Sequence, residues 1–178
     1  MTEEVEENEE HAEDAAPEVE VETRYGVPVT RSRDHEVLHP TREELLDTVS
    51  AMRDDGFVML LDVTAVDYLE APARDLPLGM APERYEVVVG LISHANRERL
   101  RLRVQVPADE PTVPSLFDLY PGAEALERET FDMFGITFDG HPDMSRILMP
   151  DDWDGHPLRK DYALGRIPVQ FKGAPGPR

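Results

Sequence analysis

The chain contains no cysteine. That excludes disulfides, thiolate nucleophiles and every cysteine-ligated zinc or iron–sulfur centre. If such a chain works inside an electron-transfer machine, the electrons travel through other chains. No apolar run approaches the roughly 20 residues needed to span a bilayer. The N-terminus is acidic, with no basic, apolar leader, so a soluble protein that stays on the side of the membrane where it is made is expected. Walker, GxGxxG and GxSxG loops are absent as well, and no nucleophile stands beside a base in a recognisable pattern. Lysine and arginine are missing from residues 1–23, which hold eleven Asp or Glu. The formal net charge of the whole chain is -20. Nucleic acid and anionic membrane surfaces are therefore disfavoured as partners, since both attract basic patches.

What is present amounts to one domain in 178 residues, long enough to bury a core. Residues 1–24 are an acidic, low-complexity lead with six Glu between positions 3 and 10. They are expected to be a disordered, solubilising tail, the other reading being a docking arm for a basic neighbour. Order is expected from about Val27. A helix is predicted from Arg42 to about Asp54, opened by a Thr41/Glu44 capping box and closed by Gly56. Leu45, Leu46, Val49 and Met52 form its apolar face. Phe57 to Tyr68 reads as a strand, and Ala71–Pro82 as a proline-rich loop. Tyr85–Ser93 and residues 99–106 read as an antiparallel hairpin, the second arm alternating strictly between apolar and polar side chains. Ser115 is placed to cap a helical turn through Tyr120. The order helix, strand, hairpin, helix implies an α+β domain over residues 25–136, a mainly antiparallel sheet with helices on one face. Asp62 and Asp67 are a weak candidate carboxylate pair.

The densest information lies further on. A helix from about Ala123 to Phe134 is expected to pack Leu126, Thr130, Met133 and Phe134 on the sheet and to end at Gly135. Arg128 stands i,i+4 from both Glu124 and Asp132. Glu129 and Asp132 are like charges at i,i+3, which implies that something positive approaches. Residues 137–178 then read as an extended C-terminal segment laid on a partner. Within it Asp-Gly-His-Pro occurs twice, at 139–142 and 154–157. The glycine permits an unusual turn, and the proline holds the preceding residue extended, so His141 and His156 each sit at a stiff corner. A metal site drawn from these two histidines with Asp143 and Asp161 would belong to a stand-alone hydrolase. Fifteen residues of irregular backbone between the histidines match no ligand spacing, and the favoured reading is that each donates to a backbone carbonyl or carboxylate at a packed corner. Arg146, Arg159, Lys160, Arg166 and Lys172 concentrate positive charge after residue 145.

The run Glu127-Arg128-Glu129-Thr130-Phe131-Asp132-Met133-Phe134-Gly135-Ile136 is followed by Gly140-His141-Pro142-Asp143-Met144-Ser145-Arg146-Ile147-Leu148 and by Gly155-His156-Pro157-Leu158-Arg159-Lys160-Asp161-Tyr162. In this order the three closely resemble the signature of the thirty-kilodalton-type subunit of respiratory complex I, the C-type subunit of bacterial NADH-quinone oxidoreductase. Leu61–Tyr68, Arg84–Val89, Arg101–Val104 and Pro114–Leu116 extend the resemblance to about residues 40–165. Ala125-Leu126 and Tyr120 stand where the family often has Trp, and Met149–Trp153 differs from its usual stretch.

The resemblance implies a non-catalytic structural subunit of the peripheral arm, on the cytoplasmic face of the membrane and attached to it only through the complex. It implies no cofactor in this chain, with FMN, iron–sulfur clusters and quinone in partner subunits. The forty-nine-kilodalton-type (D-type) subunit and the cluster-bearing subunits are the implied neighbours. Glu127, Arg128, Glu129, Asp132, Gly135, His141, Pro142, Arg146, His156, Pro157, Arg159, Lys160 and Asp161 are the implied interface. A homologous subunit of a related membrane-bound hydrogenase or dehydrogenase is the neighbouring alternative.

Overall fold

The computed structural model describes residues 21–33 and 35–163; residues 1–20, Asp34 and residues 164–178 lie outside the described residues. Eight strands and two helices follow in the order β1 (Thr23–Arg24), β2 (Val27–Ser32), β3 (His35–Leu38), α1 (Leu45–Asp54), β4 (Met59–Asp67), β5 (Tyr85–Ser93), β6 (Glu98–Val106), β7 (Thr112–Pro114), α2 (Ala123–Phe134) and β8 (Thr137–Asp139). Six of the strands form one sheet, ordered β1-β2-β3-β6-β5-β4. Every pairing in it is antiparallel except β3 with β6, where Val37 and Leu38 lie beside Arg101 and Leu102. The expected α+β architecture is present, with both helices feeding one core.

That core follows from the alternation of the strands. Val87, Val89 and Leu91 of β5 and Leu100, Leu102 and Val104 of β6 point to one side, where Leu45, Val49 and Met52 of α1 and Met133 and Phe134 of α2 meet them. The capping box forms: Glu44 N–H donates to Thr41 Oγ1 (3.3 Å) and Thr41 N–H to Glu44 Oε2 (2.9 Å). The regular helix starts at Leu45 rather than Arg42, and Leu46 is exposed rather than on the packed face. Gly56, at φ +91°, closes α1 with two backbone bonds, its own N–H to Arg53 O and that of Phe57 to Met52 O.

Two boundaries differ from expectation. The acidic lead is expected to end at residue 24, but Thr23 and Arg24 already pair with Pro28 and Val27, so the sheet begins inside it. The C-terminal segment is expected to leave the domain at 137, but β8 runs parallel to β7, with Ile136 and Phe138 buried in the same core. Thus α2 is held on both sides, by the sheet beneath it and by a strand that follows it. Ser115 accepts the Phe117 N–H (3.1 Å) and opens the expected turn, which closes with Tyr120 N–H on Leu116 O (2.7 Å).

Candidate functional site

The last turn of an α-helix leaves four carbonyls without intrahelical donors. In α2 each finds one nearby. Gly135 N–H reaches Phe131 O (2.7 Å), His156 Nδ1–H reaches Asp132 O (2.9 Å), Leu158 N–H reaches Met133 O (3.1 Å), and Arg159 Nε reaches Phe134 O (2.5 Å). The His-Pro-Leu-Arg stretch is thus a cap folded back over its own helix, and its guanidinium sits at the negative end of the helix dipole. Gly135 is required twice. Its φ of +72° favours a residue without Cβ, and a Cβ there would lie 2.5 Å from His156 Nε2 and collide with Arg159.

Asp132 is the centre of the arrangement. It is fully buried, and its Oδ1 takes Arg146 Nη1 at 2.6 Å. Its Oδ2 accepts the backbone N–H groups of Ile147, Leu148 and Met149 at 3.2, 2.8 and 2.8 Å. The far side of Arg146 donates to the carbonyls of Trp153 (3.0 Å) and Gly155 (3.1 Å). Burial opposes ionisation of Asp132, but the three amides and the guanidinium outweigh it and hold its pKa below the usual carboxylate range. Arg128, one turn earlier, donates to Ser145 O (3.1 Å) and Oγ (2.9 Å) and to Arg146 O (3.1 Å), and sits 3.7 Å from Glu124. The expected Arg128–Asp132 pair does not form, because Arg146 takes the carboxylate.

Glu127 is also fully buried, on the other side of the helix. Ser115 Oγ–H donates to it at 2.6 Å and Leu116 N–H at 2.7 Å. Burial raises its pKa above the ordinary glutamate value, with the two donors pulling the other way. Of the acidic residues on this helix, Asp132 is thus balanced within the chain by Arg146, while Glu127 is held by two neutral donors. Glu129 differs: it is exposed, and no side chain among the described residues bonds to it.

The two histidines lie at opposite ends of α2. His141 donates Nε2–H to Glu124 O (3.1 Å) and accepts the Asp143 N–H on Nδ1 (3.0 Å). His156 is bonded at Asp132. Eight helical residues separate those carbonyls, roughly 12 Å along the axis, so the pair does not converge on one ion. Among the described residues no group of three or more His, Asp or Glu is gathered for a metal. Pro142 is exposed at the first corner, and Pro157 is half-buried at the second.

The tail of the segment anchors to the sheet. Lys160 N–H donates to Asp67 Oδ2 (2.9 Å) while its side chain is exposed. Arg84 is held between Asp67 and Asp161, at 2.9 Å from each. Burial works against the charge on Asp67, yet Arg84 and the amides of Lys160 and Leu69 keep its pKa low. Asp62 points to the opposite face and is exposed, so the Asp62–Asp67 pair is not brought together. Sequence reasoning missed the Asp67–Arg84–Asp161 clasp, which joins residues far apart in the chain. It also missed Ser115 as the partner of Glu127.

Among several exposed acidic residues, this closed segment also leaves three large apolar side chains outside. Ile147, Leu148 and Leu158 are 41, 59 and 50 % exposed, held on a backbone that Asp132 and the α2 carbonyls fix in place. No described helix is long and apolar enough to cross a membrane.

The model of one family, "Respiratory-chain NADH dehydrogenase, 30 Kd subunit", matches residues 38–167. The chain belongs to that family. The matched region holds α1, the β4–β5–β6 half of the sheet, α2 and the folded-back segment. Among curated relatives, the C subunit of NADH-quinone oxidoreductase from Saccharopolyspora erythraea is 48% identical over 149 residues, covering 82% of this chain and 56% of that protein. The C subunits of the same enzyme from Salinispora tropica (46% over 149 residues; 82% of this chain, 57% of that protein) and Mycolicibacterium gilvum (46% over 145 residues; 80% and 60%) are similar. The chain therefore spans little more than half the length of these relatives. Among solved structures, a trypsin-resistant fragment of Nqo5 matches with a TM-score of 0.59 at 34% identity, over 66% of this chain and 89% of the fragment. A chain of the membrane-bound sulfane sulfur reductase, an archaeal respiratory membrane complex, matches at 0.64 and 24% identity over 78% of each and shows the same fold.

Proposed function

We propose that this chain is a non-catalytic structural subunit of the peripheral arm of a proton-pumping NADH-quinone oxidoreductase. In that role it supports electron transfer from NADH to quinone without carrying a redox group. The observation behind this reading is how the signature residues are spent. Asp132, Arg146, His156, Arg159 and Gly135 lock the segment onto α2, and what they lock in place is a ledge that presents the exposed Ile147, Leu148 and Leu158, with Glu129 exposed on α2 itself. Such a ledge suits a large protein neighbour, and the names of the curated relatives indicate the assembly.

In this reading the forty-nine-kilodalton-type (D-type) subunit and the cluster-bearing subunits of the arm cover the ledge. FMN, the iron–sulfur clusters and quinone belong to those partners. The chain reaches the cytoplasmic face of the membrane only through them. The likeness of fold to the archaeal reductase supports, as the second reading, an equivalent subunit in a related membrane-bound complex. Purification in mild detergent separates the two. Recovery of this chain with an NADH-oxidising flavoprotein and a forty-nine-kilodalton-type subunit supports the first, and a hydrogenase-type set without that flavoprotein supports the second. Recovery of the chain alone from membranes that retain an intact NADH-quinone oxidoreductase contradicts both.

A further inference from the structure

In a chain of net charge -20, one end of the sheet is basic. Arg31 and Arg33 at the β2–β3 turn, His35, and Arg97 and Arg99 at the β5–β6 turn line an open depression of about 630 Å³. Arg101 continues the row along β6 on the sheet face opposite the helices. The two carboxylates in the depression, Glu36 and Glu98, are already held by Arg24 at 2.7 and 2.6 Å. Arg31 lies 3.3 Å from both Glu22 and Glu36 and is 65% exposed. Arg33, Arg97, Arg99 and Arg101 make no side-chain bond among the described residues. Asp62 lines the same outer face beside Arg99 and Arg101, one carboxylate against four unbonded arginines, and like charges gathered on one face repel one another unless something anionic lies over them.

The direction in which the chain enters the sheet points to the source of that anion. β1 runs antiparallel to β2, with Thr23 opposite Pro28 and Arg24 opposite Val27, and Val29 N–H donates to Glu22 O at 2.9 Å. Glu22 therefore lies a step nearer the Arg31–Arg33 turn than Thr23 does. Glu22 has already placed its carboxylate on Arg31. The twenty residues before Val21 carry ten Asp or Glu and no Lys or Arg. They are tethered at the edge of the basic depression, so their effective concentration there is on the order of millimolar.

We propose that the acidic segment 3–20 of this chain docks on the basic face formed by Arg31, Arg33, Arg97, Arg99 and Arg101 and covers it. The segment masks this face from anionic surfaces.

The absence of cysteine makes the test simple, because Ala12→Cys supplies a unique attachment point in the full chain. A nitroxide there should selectively broaden the backbone amides of residues 31–33 and 97–101 at about 20 mM NaCl and release them at about 500 mM, where screening shortens the reach of charge several-fold. The broadening should fall at least threefold in Arg97→Gln/Arg99→Gln/Arg101→Gln and return in the matching Arg→Lys triple variant. Weak broadening spread evenly over the surface, or broadening centred elsewhere, overturns the proposal. So does equal broadening of an isotope-labelled chain by a separate spin-labelled chain, which would assign the face to a second copy. Release of the segment by phosphatidylglycerol vesicles that then retain the chain would assign it to an anionic membrane surface instead.

Discussion

Removing the Asp132 carboxylate should detach the folded-back segment while the sheet remains folded. In Asp132→Ala, Arg146 loses the carboxylate that holds it at 2.6 Å, and the amides of residues 147–149 lose their common acceptor. Breaking a buried charge pair from one side costs about 3–5 kcal/mol. Each amide left without an acceptor adds up to about 1–3 kcal/mol where water does not reach it. Ile147 and Leu148 are exposed, so water relieves part of that second cost, and about 3–5 kcal/mol is the expected total. A domain is stable by about 5–15 kcal/mol, so the variant should fold but melt early.

Asp132→Asn keeps the volume and one acceptor oxygen and should cost about 2 kcal/mol, the scale of a charge-assisted hydrogen bond. The pH dependence follows from the depressed pKa of Asp132. Its contribution is complete above the unfolded carboxylate value of about 3.9 and disappears as pH falls from there through the lower folded value. The gap between wild type and Asp132→Asn should thus be flat near neutrality and shrink below about pH 4. Urea unfolding measures the gap, and limited trypsinolysis reports whether residues 140–163 open first. A loss below about 1 kcal/mol for Asp132→Ala, the value of an exposed pair, would refute the claim that this carboxylate organises the segment.

Gly135→Ala should destabilise by about 2 kcal/mol or more, combining a left-handed backbone with displacement of the His156–Arg159 cap; urea midpoints and the amide shifts of residues 156–159 report it. Glu127→Gln should cost under about 1 kcal/mol at neutral pH, since the amide can still accept from Leu116 and donate to Ser115. Because the folded pKa of Glu127 is raised, wild type gains stability as pH falls from that value toward the unfolded one near 4.3. Glu127→Gln should lose that rise, which a series of urea midpoints across pH 4–7 would show. Tyr120→Phe removes the hydroxyl that donates to the buried Phe57 carbonyl at 2.5 Å, with an expected cost of about 1–1.5 kcal/mol by thermal or urea unfolding.

Elements whose cause is local were legible in the amino-acid sequence. The alternation of Leu100 to Val106 produced the β5–β6 hairpin, and Thr41, Glu44 and Gly56 marked the ends of α1 to within a few residues. β1–β3 were not legible. Val27 and Val29 are separated by a proline and followed by arginines, and the parallel pairing of β3 with β6 joins positions more than sixty residues apart. The candidate segment was found by its motifs, but the physical reading of its charge placed the balancing partner outside the chain. Helical spacing compares Asp132 only with its neighbours on α2, whereas Arg146 arrives fourteen residues later by way of a turn. One usable signal was present: a helix ending at glycine leaves carbonyls to be satisfied, and the residues downstream include histidines at stiff corners and two arginines. That pattern describes a cap as well as it describes a docking ribbon. Loss of the Arg159 side chain should accordingly loosen the cap of α2 before it affects any partner.

The subunit role is tested most directly at the outer ledge, away from the locking residues. Membranes carrying Leu148→Glu or Glu129→Arg in this chain would be assayed for the amount of assembled NADH-quinone oxidoreductase and for quinone reduction per assembled complex. Both side chains are exposed in the isolated chain, so both variants should fold as wild type does. The account predicts a severalfold loss of assembled complex with activity per complex unchanged. Normal assembly with activity per complex collapsed would place these residues in the chemistry and contradict it.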